Sequence, residues 1–114
     1  MNTTTRKPPV YTVYVIELSA EVLDRRAFAE ANPDCACDPA RPPLYVGHTV
    51  RTPEERFEQH QAGIKAGRFT RGNAVRLRMD LAPGLVFATR EEAERMERQH
   101  AEHLRAQGFA VWQK

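Results

Sequence analysis

"LYVGHTVRTPEERFEQHQAG", residues 44–63, decides how this chain folds. "LYVG" is a short apolar run closed by Gly47, and it reads as a short strand that ends there. Thr52-Pro53-Glu54-Glu55 is a helix start: Thr52 is the N-cap, Pro53 the first helical residue, and Glu55 the acid that reaches back to close a capping box. The spacing predicts a helix from there to about Gly63. Within it Arg56 and His60 stand four apart, so their side chains share one face, one turn from each other. A strand end and a helix face thus aim a guanidinium and an imidazole at the same place.

Upstream, "VYTVYVIEL" (10–18) is rich in β-branched and aromatic residues, as expected of a strand buried on both faces. "SAEVLDRRAFAEAN" carries Val22, Leu23, Ala27 and Phe28 at helical spacing and predicts one helix, stopped by "NPD". Proline-rich "CDPARPP" then leads into the second strand. Downstream, "GIKAGRFTRGN" is a glycine-interrupted connection, and "AVRLRM" alternates Val75, Leu77 and Met79 with two arginines, as a half-exposed strand would. "GLVFA" (84–88) is a further strand candidate, and the sequence leaves open whether both pair in the sheet. Thr89-Arg90-Glu91-Glu92 is a second capping box, opening a last helix that ends before Gly108. Its apolar stripe is Ala93, Met96, His100 and Leu104, with Glu97 immediately beside it, and "FAVWQK" suits a short closing strand. Residues 1–9 read as a flexible arm, and 10–114 as one domain.

A chain of 114 residues with 41% hydrophobic and 28% charged residues is an ordinary folding composition and not a disordered one. No apolar stretch is long enough for a membrane span and no secretory h-region opens the chain, so a soluble, cytoplasmic protein is expected. The net charge of +2 says little about partners, but from Gln61 to Met79 there is no Asp or Glu, while Lys65, Arg68, Arg71, Arg76 and Arg78 all fall there. Such a run is either a solvated face or a track for a phosphate backbone. Cys35 and Cys37 are too close for an unstrained mutual disulfide, and they fall short of the about four ligands zinc takes. They read as loop thiols before a metal staple.

In this order the pieces resemble the GIY-YIG nuclease domain, from Tyr11 to about Gln107. Thr12-Val13-Tyr14 looks like the first family triad, Tyr45-Val46-Gly47 the second, Arg56 the helix arginine, His60 the His or Tyr that often follows it, and Glu97 the metal-binding glutamate. The resemblance implies an α/β (α+β) fold with a small central three-stranded antiparallel sheet flanked by helices. Three departures accompany it. The first triad lacks its glycine, residues 19–43 look like an insertion between the first two strands, and Trp112-Gln113 stand where a common family Asn would be. Gln113 offers an amide in its place.

The activity so implied is endonucleolytic hydrolysis of phosphodiester bonds in DNA by a one-metal route. A single Glu suits one Mg²⁺ (or Mn²⁺), which prefers oxygen ligands and keeps waters of its own. The reading gives Glu97 the metal, Arg56 the scissile phosphate, Tyr14 or Tyr45 the attacking water, and His60 the support of that side. His48, Lys65, Arg68, Arg71, Arg76 and Arg78 are the nucleic-acid-binding candidates. DNA, branched or damaged, is the expected partner, with RNA an alternative substrate and a targeting protein a further partner. The competing reading is a GIY-YIG-fold nucleic-acid-binding module with weakened catalysis, and a third is a metal-stapled interaction protein built on Cys35 and Cys37.

Overall fold

Strand β1 (Tyr11–Leu18) is the axis of the sheet, with Val13, Val15 and Ile16 wholly removed from solvent, as its unbroken apolar run requires. The structure is a computed structural model that describes residues 8–35, 38–64 and 67–113. On one side β1 pairs antiparallel with β2 (Leu44–Thr49); on the other it pairs antiparallel with β3 (Ala74–Leu77) and with the two-residue β4 (Val86–Phe87). β5 (Val111–Gln113) lies against the far edge of β2 in parallel, giving the order β3-β1-β2-β5 with β4 off that path on β1.

The expected three-stranded antiparallel sheet is therefore the centre of a five-stranded mixed one. The parallel pair has a topological cause. A parallel neighbour needs a long crossover, and the chain between β2 and β5 supplies one that includes α2 (Pro53–Gln61) and α3 (Arg90–Ala106). α1 (Arg26–Ala31) precedes β2 and is shorter than the spacing predicted. A 3-10 turn at Ala20–Asp24 comes first, and Arg25, extended at φ −77° and ψ 128°, breaks the run between them. β3 departs from plain alternation too: its register with β1 shifts between Glu17 and Leu18, and extra residue Val75 is turned outward, 44% exposed.

Alternation along β1 and β2 divides the core into two layers. Val13, Val15, Leu44 and Val46 pack with Val111 of β5 and with Ala101 and Leu104 of α3. Tyr14, Ile16, Leu18 and Tyr45 face the other way, toward Val22, Phe28 and Phe69. There Phe28, Phe69 and Trp112 form an aromatic cluster, with Phe69 and Trp112 edge to face at 4.6 Å between centroids. Asn32, just after α1, fastens the segment between β1 and β2 to β5. Its amide donates to the carbonyls of Phe28 (2.9 Å) and Val111 (3.0 Å), and its Oδ1 accepts from the Val111 amide (2.7 Å) and Arg105 Nε (3.0 Å).

Both N-caps form: Thr52 Oγ1 accepts from the Glu55 amide and Thr89 Oγ1 from the Glu92 amide, and each hydroxyl donates to the same glutamate's carboxylate. Gly108, at φ +99°, ends the α3 turn in a conformation a side chain rarely adopts. Along α3 the buried residues are Ala93, Glu97, Ala101 and Leu104, while Met96 and His100 are half-buried. Glu97 thus sits inside the stripe that was expected to run beside it. Among the described residues no helix is long and apolar enough to cross a membrane.

Candidate active site

The β1–β2 ladder sets Tyr14 directly opposite Gly47, with Tyr45 two residues back on β2. A Cβ on Gly47 would stand 2.7 Å from the Tyr14 hydroxyl and 2.9 Å from Tyr45 Cε2, closer than real Cβ atoms come. Position 47 is glycine because two phenol rings, 6.1 Å apart between centroids, lie across its backbone. The glycine does not close the strand as expected: β2 continues through His48 to Thr49, still paired with β1.

α2 supplies the next members. His60, in its last turn, is wholly buried; its Nε2 is 2.9 Å from the Tyr14 hydroxyl and its Nδ1 2.8 Å from Thr70 Oγ1. A neutral imidazole donates on one nitrogen and accepts on the other, so the ring links the two hydroxyls in one hydrogen-bonded chain. Burial, and secondarily the Arg56 charge, lowers the His60 pKa from 6.5 to about 4, which keeps it neutral in that role. Arg56, one turn earlier, hydrogen-bonds Gln59 Oε1 (3.1 Å) and the Ile64 carbonyl (3.2 Å). Thr70 was not singled out in the sequence. It sits in the glycine-interrupted connection, where one hydroxyl among several carries no signal of its own.

Both phenols are pushed above the ordinary tyrosine range, first by burial. For Tyr14 the neighbouring Tyr45 adds to this; for Tyr45 the next contribution is the charge of Glu97. Arg56 pulls both down, and the hydrogen-bonding contact from Tyr14 also lowers Tyr45. The guanidinium and the acid therefore act on the same pair of hydroxyls.

Glu97 reaches that neighbourhood from the α3 layer. It is 4% exposed; Gln113 Nε2 donates to its Oε1 at 2.9 Å, and His48 Nδ1 makes a short contact with its Oε2. His48 and Gln113 occupy alternate positions to Tyr45 and Trp112 on their strands, so they point into the layer opposite the phenols. A cavity of about 410 Å³ opens beside the acid, lined by His48, Arg90, Glu94, Glu97, Arg98 and Gln113. Tyr14 and Tyr45 are not in its wall. The two groups of residues flank the β2 backbone at Gly47 and His48.

A scan against protein-family models matches the GIY-YIG catalytic domain over residues 37–110. The chain belongs to the GIY-YIG family. This is a nuclease family whose substrate is nucleic acid and whose members generally use a divalent metal. The matched span holds Tyr45, Arg56, His60 and Glu97. β1 lies upstream of it, so the match does not reach Tyr14, which the ladder sets opposite Gly47 and which lies 2.9 Å from His60 Nε2. A search of curated proteins and one of solved structures found no significant match.

The other predicted residues are dispersed. His48 lies on Glu97 and not on an outer basic track. Arg78 is held by Asp80 (2.9 Å) and Glu17 (3.0 Å), and Arg76 lies 3.4 Å from the same Glu17. Arg68 and Arg71 are exposed, Arg68 standing 5.5 Å over the Phe69 ring. Lys65 lies outside the described residues, as does Cys37, and with it the paired-thiol reading; Cys35 is half-buried against the layer of Phe28 and Phe69.

A metal centre here has only a small protein donor set. Among the described residues no three His, Cys, Asp or Glu side chains cluster as ligands. Glu97 alone fits an ion that is content with one carboxylate and several waters: each of its oxygens holds one hydrogen bond, which leaves lone pairs toward the cavity.

Proposed function

We propose that this chain is a divalent-metal-dependent endonuclease that hydrolyses phosphodiester bonds in DNA. The observation that carries the reading is that the charges of Arg56 and Glu97 both bear on the two phenols, the guanidinium lowering their pKa values and the carboxylate raising them. Glu97 would hold one Mg²⁺ or Mn²⁺, with His48 and Gln113 fixing the carboxylate's orientation. Such an ion, when bound, neutralises charge on the phosphoryl oxygens and on the departing oxygen.

The protein's own groups do the rest. Arg56 presents a planar fork of donors to the scissile phosphate, already steered by its bonds to Gln59 and Ile64. Of the two phenols, Tyr45 faces the attacking water. Tyr14 is the more deeply buried of the two and is tied to His60. With both phenol pKa values raised, Tyr45 is protonated at neutral pH, so its part is to orient the water by accepting a hydrogen bond from it. The Tyr14–His60–Thr70 chain keeps that hydroxyl in place. Arg68 and Arg71 extend the grip to neighbouring phosphates.

Plasmid DNA with Mg²⁺ or Mn²⁺ tests this. The wild-type chain is expected to nick it and Glu97→Gln to be silent, whereas equal cutting by both discards the assignment. A second reading, a binding module without turnover, is favoured by one observation: both oxygens of Glu97 are already engaged by side chains. Salt-sensitive DNA binding without cutting under any divalent ion would select it.

A further inference from the structure

We propose that the DNA backbone runs along α3, held by Arg90 and Arg98 on either side of Glu94, so that phosphates of one strand flank the Glu97 cavity. The proposal rests on the nuclease reading above and adds the path of the strand. Three observations lead to it.

Arg90, Glu94 and Arg98 are spaced i, i+4, i+8, which aligns them on one face of α3, and all three wall the cavity beside Glu97. Among the described residues, neither arginine makes an ion pair within 4.0 Å, and both are exposed. Arg76 and Arg78, by contrast, are drawn to Glu17 and Asp80, so the run that looks most basic in the sequence has less charge to offer. Two guanidinium groups eight positions apart on a helix are separated by about 12 Å, the axial rise of about three to four nucleotides of one strand.

Glu94 gives the proposal its sharpest consequence. It is an exposed acid between two phosphate-binding arginines, so it opposes the backbone it faces. Removing its charge is expected to strengthen binding, an effect that damage to the fold would not produce.

The experiment measures binding of the full chain to a fluorescent DNA duplex in EDTA, from 50 to 200 mM salt (about the range over which phosphate contacts are read). R90A/R98A is expected to weaken binding at least about tenfold at the lower salt and to flatten the log–log salt slope by about two, close to 0.9 per lost phosphate contact. Glu94→Gln is expected to bind several-fold more tightly than wild type. R25A/R26A, which removes the same charge from around α1, is expected to keep the wild-type slope. Circular dichroism of each variant verifies the fold. A wild-type slope in R90A/R98A, or weaker binding by Glu94→Gln, overturns the proposal, as does wild-type protein without salt-dependent binding. DNA binding that depends on these arginines in a protein that cuts under no divalent ion would sink hydrolysis and leave this path standing.

Discussion

On one face of β2 the site is dry: Tyr14 is 1% exposed, His60 is wholly buried, and each polar atom of the Tyr14–His60–Thr70 chain has its partner inside the protein. On the other face Glu97 is just as deep, but it borders an open cavity whose walls include exposed arginines. One side is arranged for fixed geometry, the other for access. Hydroxyls that must hold still gain from a low-dielectric surround with no competing water, while a carboxylate that takes a hydrated ion needs solvent nearby. Gly47 and His48, adjacent on β2, are where the two designs touch.

The largest effect should come from the residue whose charge reaches the phenols from the helix. Arg56→Lys keeps the charge but loses the fork, and kcat for plasmid nicking is expected to fall roughly 10²–10³-fold, with binding in EDTA nearly unchanged. Equal rates would mean the guanidinium acts only as a distant charge.

Acid should loosen the dry face in particular. His60 titrates near 4 when folded and at about 6.5 when unfolded, so below pH 6.5 the unfolded chain binds the proton first. Its contribution to stability is intact above pH 6.5 and is lost progressively toward pH 4, by at most about 3 kcal/mol. Urea melts of wild type and His60→Gln across that window should converge as the pH falls; parallel curves would show that this histidine is not held neutral.

Gly47→Ala should disturb both faces at once, because the new methyl enters the space of the Tyr14 hydroxyl and the Tyr45 ring. A loss of about 1–3 kcal/mol in urea denaturation is expected. Adding Tyr14→Phe should recover part of it, and no recovery would place the strain elsewhere. At the small end, Arg76→Ala breaks a 3.4 Å contact of a largely exposed side chain with Glu17 and should cost less than about 0.5 kcal/mol by the same measurement.

Much of the scaffold was legible because its signals are local. Two helix starts, at Thr52 and Thr89, were marked by their capping residues, and residues 44–47 could be read as strand from their apolar run, though β2 continues two residues past Gly47 to Thr49. The break at Arg25 was not, since Val22, Leu23, Ala27 and Phe28 keep helical spacing across it. Nor was the parallel seat of β5, which depends on where α3 returns the chain. In the site, Tyr45, Arg56, His60 and Glu97 came from their order along the chain. The contact of His48 with Glu97 was not legible, because the two are 49 positions apart. The ion pairs of Arg76 and Arg78 were not legible for a similar reason: Glu17, which engages both, lies on β1, far outside any window that scans the run 65–78.

β5 has a consequence for how long the Glu97 carboxylate stays in register. Gln113, which holds one oxygen of Glu97, belongs to a three-residue strand that pairs, among the described residues, with β2 alone, and such edges open far more often than the centre of a sheet. Asn32 clamps that strand at Val111, two residues short of Gln113. Amide exchange should therefore be slow at Val111 and quicker toward Gln113, and the acid's alignment will last only as long as the frayed tip of the sheet stays closed.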